Sequence, residues 1–332
     1  MNRRWVLTAP RQMELQTFAA PEPAPDEVTV RTEISAVSAG SELHAYRTGP
    51  SAFMESPGYL TVGTITAKGS QAQSLQLGDR VFVPAPHGGL TTMPAHRAVP
   101  VPPELPSEEA VLTYLASLGL YCLHAGTYQA GENVAVIGLG VVGVCAALVA
   151  ALAGARVHAV DTDDARLGLA AELGLHTWNA RPADLQDEIL SASPQGIDLV
   201  VETSGVWAGL DTAARLCRSG SRICVLGVYR DPPSRETGTA LHERLLSFPA
   251  RFHYENLRLI GCANHPWEGP GSQITRWSVQ RALHYLMECQ VDERLALSPV
   301  ITHRIPPEGL PDLYHRLDTG DRSILAAVIH WP

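Results

Sequence analysis

The sequence predicts an α/β protein, with a β-rich first domain followed by a doubly wound parallel sheet. Three observations carry this prediction. Up to about residue 110, short runs alternate apolar and polar residues and are broken by proline and glycine. From Ser107 onward, strand-like runs alternate with helix-like ones, the order that builds parallel sheets. Within that part, Val134 to Asp161 reads as strand, glycine turn, helix, strand and acidic end.

Taken in order, Pro21-Glu22-Pro23-Ala24-Pro25 is a stiff loop ahead of an alternating strand, Val28 to Ile34. Val62 to Ala67 and Arg80 to Val83 follow as further strands. Ser107 is placed to cap a helix, with Glu108 and Glu109 in its first turn. Strands are expected at 133–137, 156–160, 198–202 and 222–226, and near Leu257–Gly261. Helices are expected at 141–153, 164–173 and 207–218. Gly238 to Arg251 has little apolar period and is read as a mobile loop. A helix near 275–289 and a final strand at 324–330 close the chain. There is no repeat of fixed period.

Composition narrows the function. The chain has 332 residues, room for two domains, and is 45% hydrophobic and 18% charged, which suits a globular core. Its net charge is −9 with no basic run, so nucleic acid and anionic membrane surfaces are poor partners. Cys122, Cys145, Cys217, Cys224, Cys262 and Cys289 form no C-x-x-C pair and sit in apolar surroundings, as buried thiols do. Met1 to Trp5 opens no signal-peptide run, and the longest apolar run, Val141 to Ala155, belongs to a buried helix. A cytoplasmic location is expected.

The glycine pattern is Gly138-Leu139-Gly140-Val141-Val142-Gly143. Alone it is weak evidence; between two strands, opening a helix, with Asp161 about 20 positions on, it specifies a dinucleotide site. Gly138 permits the tight turn, Gly140 lets a pyrophosphate approach the backbone, and Gly143 lets helix and strand pack closely. The helix start offers N–H groups and the positive end of its dipole to the phosphates. Asp161 can accept from both adenosine ribose hydroxyls and would repel a 2′-phosphate, which favours NAD. Thr162 adjoins it, and Arg166, five residues on, could weaken the preference. Thr203-Ser204-Gly205 and Gly227-Val228-Tyr229 end later strands of the same sheet, where ligands bind. Asn264-His265-Pro266-Trp267 follows the last strand, and Trp267 and Trp277 are candidate pocket walls or core.

Nearly the whole chain resembles the medium-chain dehydrogenase/reductase superfamily. The resemblance is carried by Glu27-Val28-Thr29-Val30-Arg31, by Gly40 to Gly49, and by Leu77-Gly78-Asp79-Arg80-Val81-Phe82. It continues through the glycine motif, Val200-Val201-Glu202-Thr203-Ser204-Gly205, and the tail Ile301 to Pro306. It implies a GroES-like β-rich catalytic domain at 1–114, a Rossmann NAD-binding domain at 115–263, and a return to the catalytic domain at 264–332. It also implies a homodimer or homotetramer paired through the edge strand near Leu257–Gly261.

Many members hold a catalytic zinc. At the corresponding positions this chain has Ala39, then Gly58-Tyr59-Leu60 in place of G-H-E, and Thr113 or a neighbour. It has no cysteine before Cys122, and its 13 histidines lack ligand spacing. Such a set does not build a tetrahedral zinc site, so no metal is expected. Ser41 and His44 stand where zinc-dependent relatives place a proton relay, and Tyr59 where they place a ligand. Glu42 would orient a neighbour or shift its pKa. Ser41, Glu42, His44 and Tyr59 are therefore the catalytic candidates.

The segment Pro57 to Gly63 is similar to a G-Y-x-x-V-G variant of the bacteriochlorophyllide a, sugar, polyol and aminocyclitol dehydrogenases of biosynthetic clusters. The expected activity is zinc-independent, NAD-dependent oxidation of a secondary alcohol, a small-molecule substrate. The alternatives are an NAD(P)H-dependent enoyl or quinone reductase, which Asp161 opposes, and an NAD-binding protein without turnover.

Overall fold

The computed structural model describes residues 2–19, 21–51, 54–181, 184–247, 251–263, 267 and 277–332. It divides into two compact units, one of Met1–Tyr114 with Gln280–Pro332, the other of Leu115–Val279. The expected domain boundaries fall after 114 and after 263; the second unit runs on through Val279, with 264–266 and 268–276 outside the described residues.

The first unit opens with a hairpin, β1 (Arg3–Ala9) and β2 (Gln12–Thr17). Next come β3 (Glu27–Val37), helix α1 (Ala39–Thr48), β4 (Thr61–Lys68), β5 (Arg80–Val83), β6 (Leu90–Pro94) and β7 (Val99–Pro100). A short helix, α2 (Ser107–Ala110), precedes α3 (Thr113–Ala125). Alternation explains β3: Val28 and Val30 face a core with Ile65, Val81 and Val83, while Arg31 points to water. Ser107 is the first helical residue of α2 rather than its cap. Its hydroxyl donates to Glu33 at 3.0 Å, a long-range bond that local pattern does not reveal.

The second unit runs β8 (Asn133–Ile137), α4 (Val141–Leu152), β9 (Arg156–Asp161), α5 (Asp164–Glu172), β10 (His176–Asn179) and α6 (Leu185–Ala192). It continues with β11 (Ile197–Glu202), α7 (Trp207–Leu216), β12 (Cys217–Val225), α8 (Arg235–Leu245), α9 (Arg251–Tyr254) and β13 (Arg258–Gly261). Its sheet is ordered β10-β9-β8-β11-β12-β13 and every pair is parallel. Parallel strands are covered on both faces, which is why β8 and β11 are apolar nearly throughout and buried at every position. The strand expected at 222 starts earlier, at Cys217.

The expected loop between Gly238 and Arg251 is mostly helical, because α8 ends only at Leu245. Ser234 caps it, accepting from the Thr237 N–H at 3.1 Å, and Leu241 and Leu245 bury one turn apart. A cap and two leucines suffice where no long apolar stripe exists. Residues 248–250 lie outside the described set.

After α10 (Val279–Val291), β14 (Ile301–Ile305), α11 (Leu310–Asp318) and β15 (Ala326–His330) return to the first unit. The seven-stranded sheet there is ordered β14-β15-β3-β4-β5-β7, with β6 paired to β3. Trp5, Tyr46, Leu313, Tyr314, Ile329 and Trp331 share its second core. All six cysteines are buried and free. Among the described residues no helix is long and apolar enough to cross a membrane.

Arg222 ties β12 to the loop before β8. Its guanidinium donates to Gly126 O at 2.8 Å, Asp198 O at 3.1 Å and the Glu132 carboxylate at 2.6 Å. Removing one partner of a buried pair leaves the other uncompensated. Arg222→Met should therefore lower stability by roughly 3–5 kcal/mol, read from the urea midpoint, and adding Glu132→Gln should recover part of the loss.

Candidate functional site

In the second unit the site starts at the turn out of β8. Gly138 has φ +90°, and a Cβ there would lie 2.8 Å from Ser204 N. Only glycine fits that backbone. A Cβ on Gly143 would lie 1.8 Å from Gly138 O, so α4 can close on the turn only without one. Gly140 is different: a Cβ there meets nothing within 4 Å. It would project into open space above the helix start, the space a pyrophosphate needs. Gly140 is the N-cap of α4, no side chain caps the helix, and its first turn holds no acid. The N–H groups beginning at Val141 and Val142 are thus left for an anion. Leu139 is fully buried and anchors the turn.

Asp161 ends β9 and is drawn back to the turn. Its Oδ2 accepts from Leu139 N at 2.5 Å; its Oδ1 accepts from Thr162 N at 2.7 Å and Asp163 N at 2.9 Å. A carboxylate has about four acceptor directions, so two ribose hydroxyls would share one with the Leu139 N–H. Arg166 lies half-buried in the first turn of α5, capped by Asp163.

Thr203 and Ser204 do not point freely toward a ligand. The Thr203 hydroxyl donates to Gly138 O at 2.6 Å and so braces the glycine turn. The Ser204 hydroxyl donates to Glu202, as does its N–H at 2.8 Å. The Tyr229 hydroxyl donates to the other oxygen of Glu202 at 2.6 Å. Burial and this bond to a charged acceptor push the Tyr229 phenol up. The N–H groups of Leu226 and Gly227 both reach Glu202 O at 2.9 Å. Glu202, fully buried, thereby ties Thr203-Ser204-Gly205 to Gly227-Val228-Tyr229. Sequence reasoning missed its role; the signal was an acid ending the apolar strand Ile197–Glu202. Val228 is left exposed beside this knot.

In the first unit the catalytic candidates gather at the start of α1. Ser38 is the N-cap, yet its hydroxyl makes no cap bond. Glu42 reaches back instead and accepts from Ser38 N at 2.6 Å. The freed Ser38 hydroxyl accepts from the Tyr59 hydroxyl at 2.5 Å. Ser41 lies beside the same phenol. Burial raises the Tyr59 pKa above its ordinary value; the Ser38 bond lowers it, the Glu42 charge raises it, and Ser41 eases it slightly. Tyr59 also packs edge-on against Tyr114, which stacks on Phe82.

The structure thus brings Tyr59 and Ser41 together and sets Glu42 behind them. Glu42 is fully buried: its Oε2 accepts from His87 Nε2 at 2.8 Å and from the Tyr314 hydroxyl. His44, on the same helix, is exposed. Thr113 is buried, donating to Glu109 O at 3.5 Å and accepting from Gln290 at 2.8 Å. Trp277 packs edge-on against His124 in the second unit. Asn264, His265 and Pro266 lie outside the described residues. Ser38 and His87 were not foreseen; neither stands in a recognisable motif.

Comparison with known proteins fits this geometry. Residues 141–264 match the model of a family described as zinc-binding dehydrogenase. Sorbitol dehydrogenase of Bacillus subtilis is 28% identical, with 66% of this chain and 72% of that one covered. Human sorbitol dehydrogenase is 26% identical, with 96% of this chain and 93% of that one covered. The crystal structure of 2R,3R-butanediol dehydrogenase from Bacillus subtilis superposes with a TM-score of 0.82 over 99% of both chains, at 16% identity. These likenesses support the medium-chain dehydrogenase/reductase superfamily for this chain. The chain is an alcohol dehydrogenase-type oxidoreductase.

The two glycines predict separable outcomes. Gly140→Ala should leave the urea midpoint nearly unchanged and weaken dinucleotide binding about 10-fold or more, as read by titration calorimetry, since a lost phosphate contact costs at least about 1.4 kcal/mol. Gly143→Ala should lower both, because its Cβ meets backbone.

Proposed function

We propose that this protein is an NAD-dependent dehydrogenase of a secondary alcohol, acting without zinc, with the Tyr59 hydroxyl holding the substrate oxygen. The hydroxyl cluster of Tyr59, Ser38 and Ser41 carries this reading. The sorbitol dehydrogenase relatives support a sugar, polyol or cyclitol-like substrate. NAD, when bound, accepts or returns the hydride. Asp161 favours NAD over NADP, since a 2′-phosphate there would meet a carboxylate. Gly138 to Gly143 and the start of α4 would hold the pyrophosphate, with Glu202 steadying the loops at Ser204 and Tyr229.

The residues at the metal positions do not fit zinc. Ala39 has no ligand atom, the Tyr59 hydroxyl is directed at Ser38, and the Thr113 hydroxyl is held by Gln290. The family model described as zinc-binding matches 141–264, which contains none of the three. Tyr59 keeps its proton because burial raises its pKa, so it serves as donor to the alcohol or carbonyl oxygen and not as base. Ser41 and exposed His44 then pass the hydroxyl proton towards water. The relatives reported above are sorbitol dehydrogenases by name, which weighs against an enoyl or quinone reductase. We also propose a homodimer paired through β13, an edge strand whose Arg258 and Leu259 are exposed.

NADH formation with a panel of polyols, cyclitols and secondary alcohols tests the reading. Consumption of NADPH with enones and no alcohol oxidation would overturn it. Tyr59→Phe should lower kcat about 100-fold and leave NAD affinity unchanged. Because a raised phenol pKa extends the protonated form upward, the ratio of wild-type to Tyr59→Phe kcat/KM for carbonyl reduction should stay constant from about pH 7 to about pH 10. A ratio collapsing within that range would contradict the donor role.

A further inference from the structure

The Tyr59 hydroxyl is held by a partner whose own setting is unusually constrained. Ser38 is 3% exposed, and its N–H is taken by Glu42 at 2.6 Å. The Glu42 carboxylate is an acceptor only, filled by the Ser38 N–H, His87 Nε2 and the Tyr314 hydroxyl. With its proton on Nε2, His87 accepts at Nδ1 from Ser35, 2.9 Å away, and Ser35 in turn accepts from the Trp331 indole at 3.0 Å. Each donor in this chain thus has an acceptor in one direction. The same histidine fixes the backbone of Tyr59. His87 N donates to Pro57 O at 2.8 Å, and its ring lies where a Gly58 Cβ would stand, 2.8 Å away. Gly58 has φ +96°, so the turn delivering Tyr59 depends on a residue without a side chain.

We propose that Ser38 is a positioning residue for the hydride-transfer reaction, acting through the hydroxyl of Tyr59. This rests on the proposed role of Tyr59. At rest Ser38 accepts from the phenol. When Tyr59 donates to a substrate oxygen, Ser38 turns its own proton onto the Tyr59 oxygen; no acceptor competes for that proton among the described residues. The bond between the two hydroxyls is kept and only its direction reverses. No bond to carbon and no electron pair is involved. The phenol oxygen gains a donor as its own proton is drawn toward the substrate, and this strengthens Tyr59 as a donor.

A double-mutant cycle on the full-length protein tests this, with the best alcohol from the panel and NAD. Ser38→Ala should lower kcat roughly 3- to 10-fold, the worth of one neutral hydrogen bond. It should leave KM and NAD affinity within about two-fold and raise the solvent deuterium isotope effect on kcat. Ser38→Thr, which keeps the hydroxyl, should restore both. In a Tyr59→Phe background Ser38→Ala should change nothing further. An equal loss in that background would show that Ser38 does not act through Tyr59 and would overturn the proposal while leaving the role of Tyr59 standing. Unchanged kcat in Ser38→Ala, or a loss that threonine does not rescue, would also overturn it. Full activity in Tyr59→Phe would instead overturn the reading on which the proposal rests.

Discussion

A carboxylate removed from water must be surrounded by donors, and each half of this molecule arranges its functional loops around one such group. In the first unit Glu42 gathers the Ser38 N–H, His87 and Tyr314, and in doing so fixes the N-cap of α1 and the turn at Gly58. In the second unit Glu202 gathers Ser204 and Tyr229 and joins the ends of two neighbouring strands. Neither acid opens onto solvent. Their effect on chemistry passes through the hydroxyls and backbone groups they orient.

The second unit was largely readable from sequence because its determinants are local. Parallel strands buried on both faces read as apolar runs, and the glycine turn, its helix and Asp161 follow one another in one short stretch, although Thr203 and Ser204 close the turn from far along the chain. The first unit was less readable. Tyr59 and Ser41 were found through their motif positions, whereas Ser38 reaches Tyr59 from 21 residues away and His87 reaches Glu42 from 45, with no periodicity to announce either. The helix at Arg235–Leu245 escaped for a related reason: a capping serine and two leucines replaced the long apolar stripe that periodicity detects. Ser107 carried the composition of a cap but uses its hydroxyl on Glu33, far away in sequence.

A bound metal ion stabilises developing charge on a substrate oxygen by its own charge. A hydroxyl can do so only if it is dry, fixed and protonated. Tyr59 is half-buried, fixed and protonated. Burial and the nearby Glu42 charge hold its proton on, the Ser38 hydroxyl fixes its direction, and Tyr114, stacked on Phe82, packs against one side. The same surroundings make it a poor base, which is why the proposed acid and base roles fall to different groups.

The central claim is that hydride transfer here needs no zinc. Its most direct test is alcohol-dependent NADH formation by protein dialysed against a strong chelator, with bound metal determined on the same sample by mass spectrometry. The account predicts undiminished turnover at substoichiometric zinc and no gain when zinc is added back. Loss of turnover on chelation, restored by stoichiometric zinc, would contradict it.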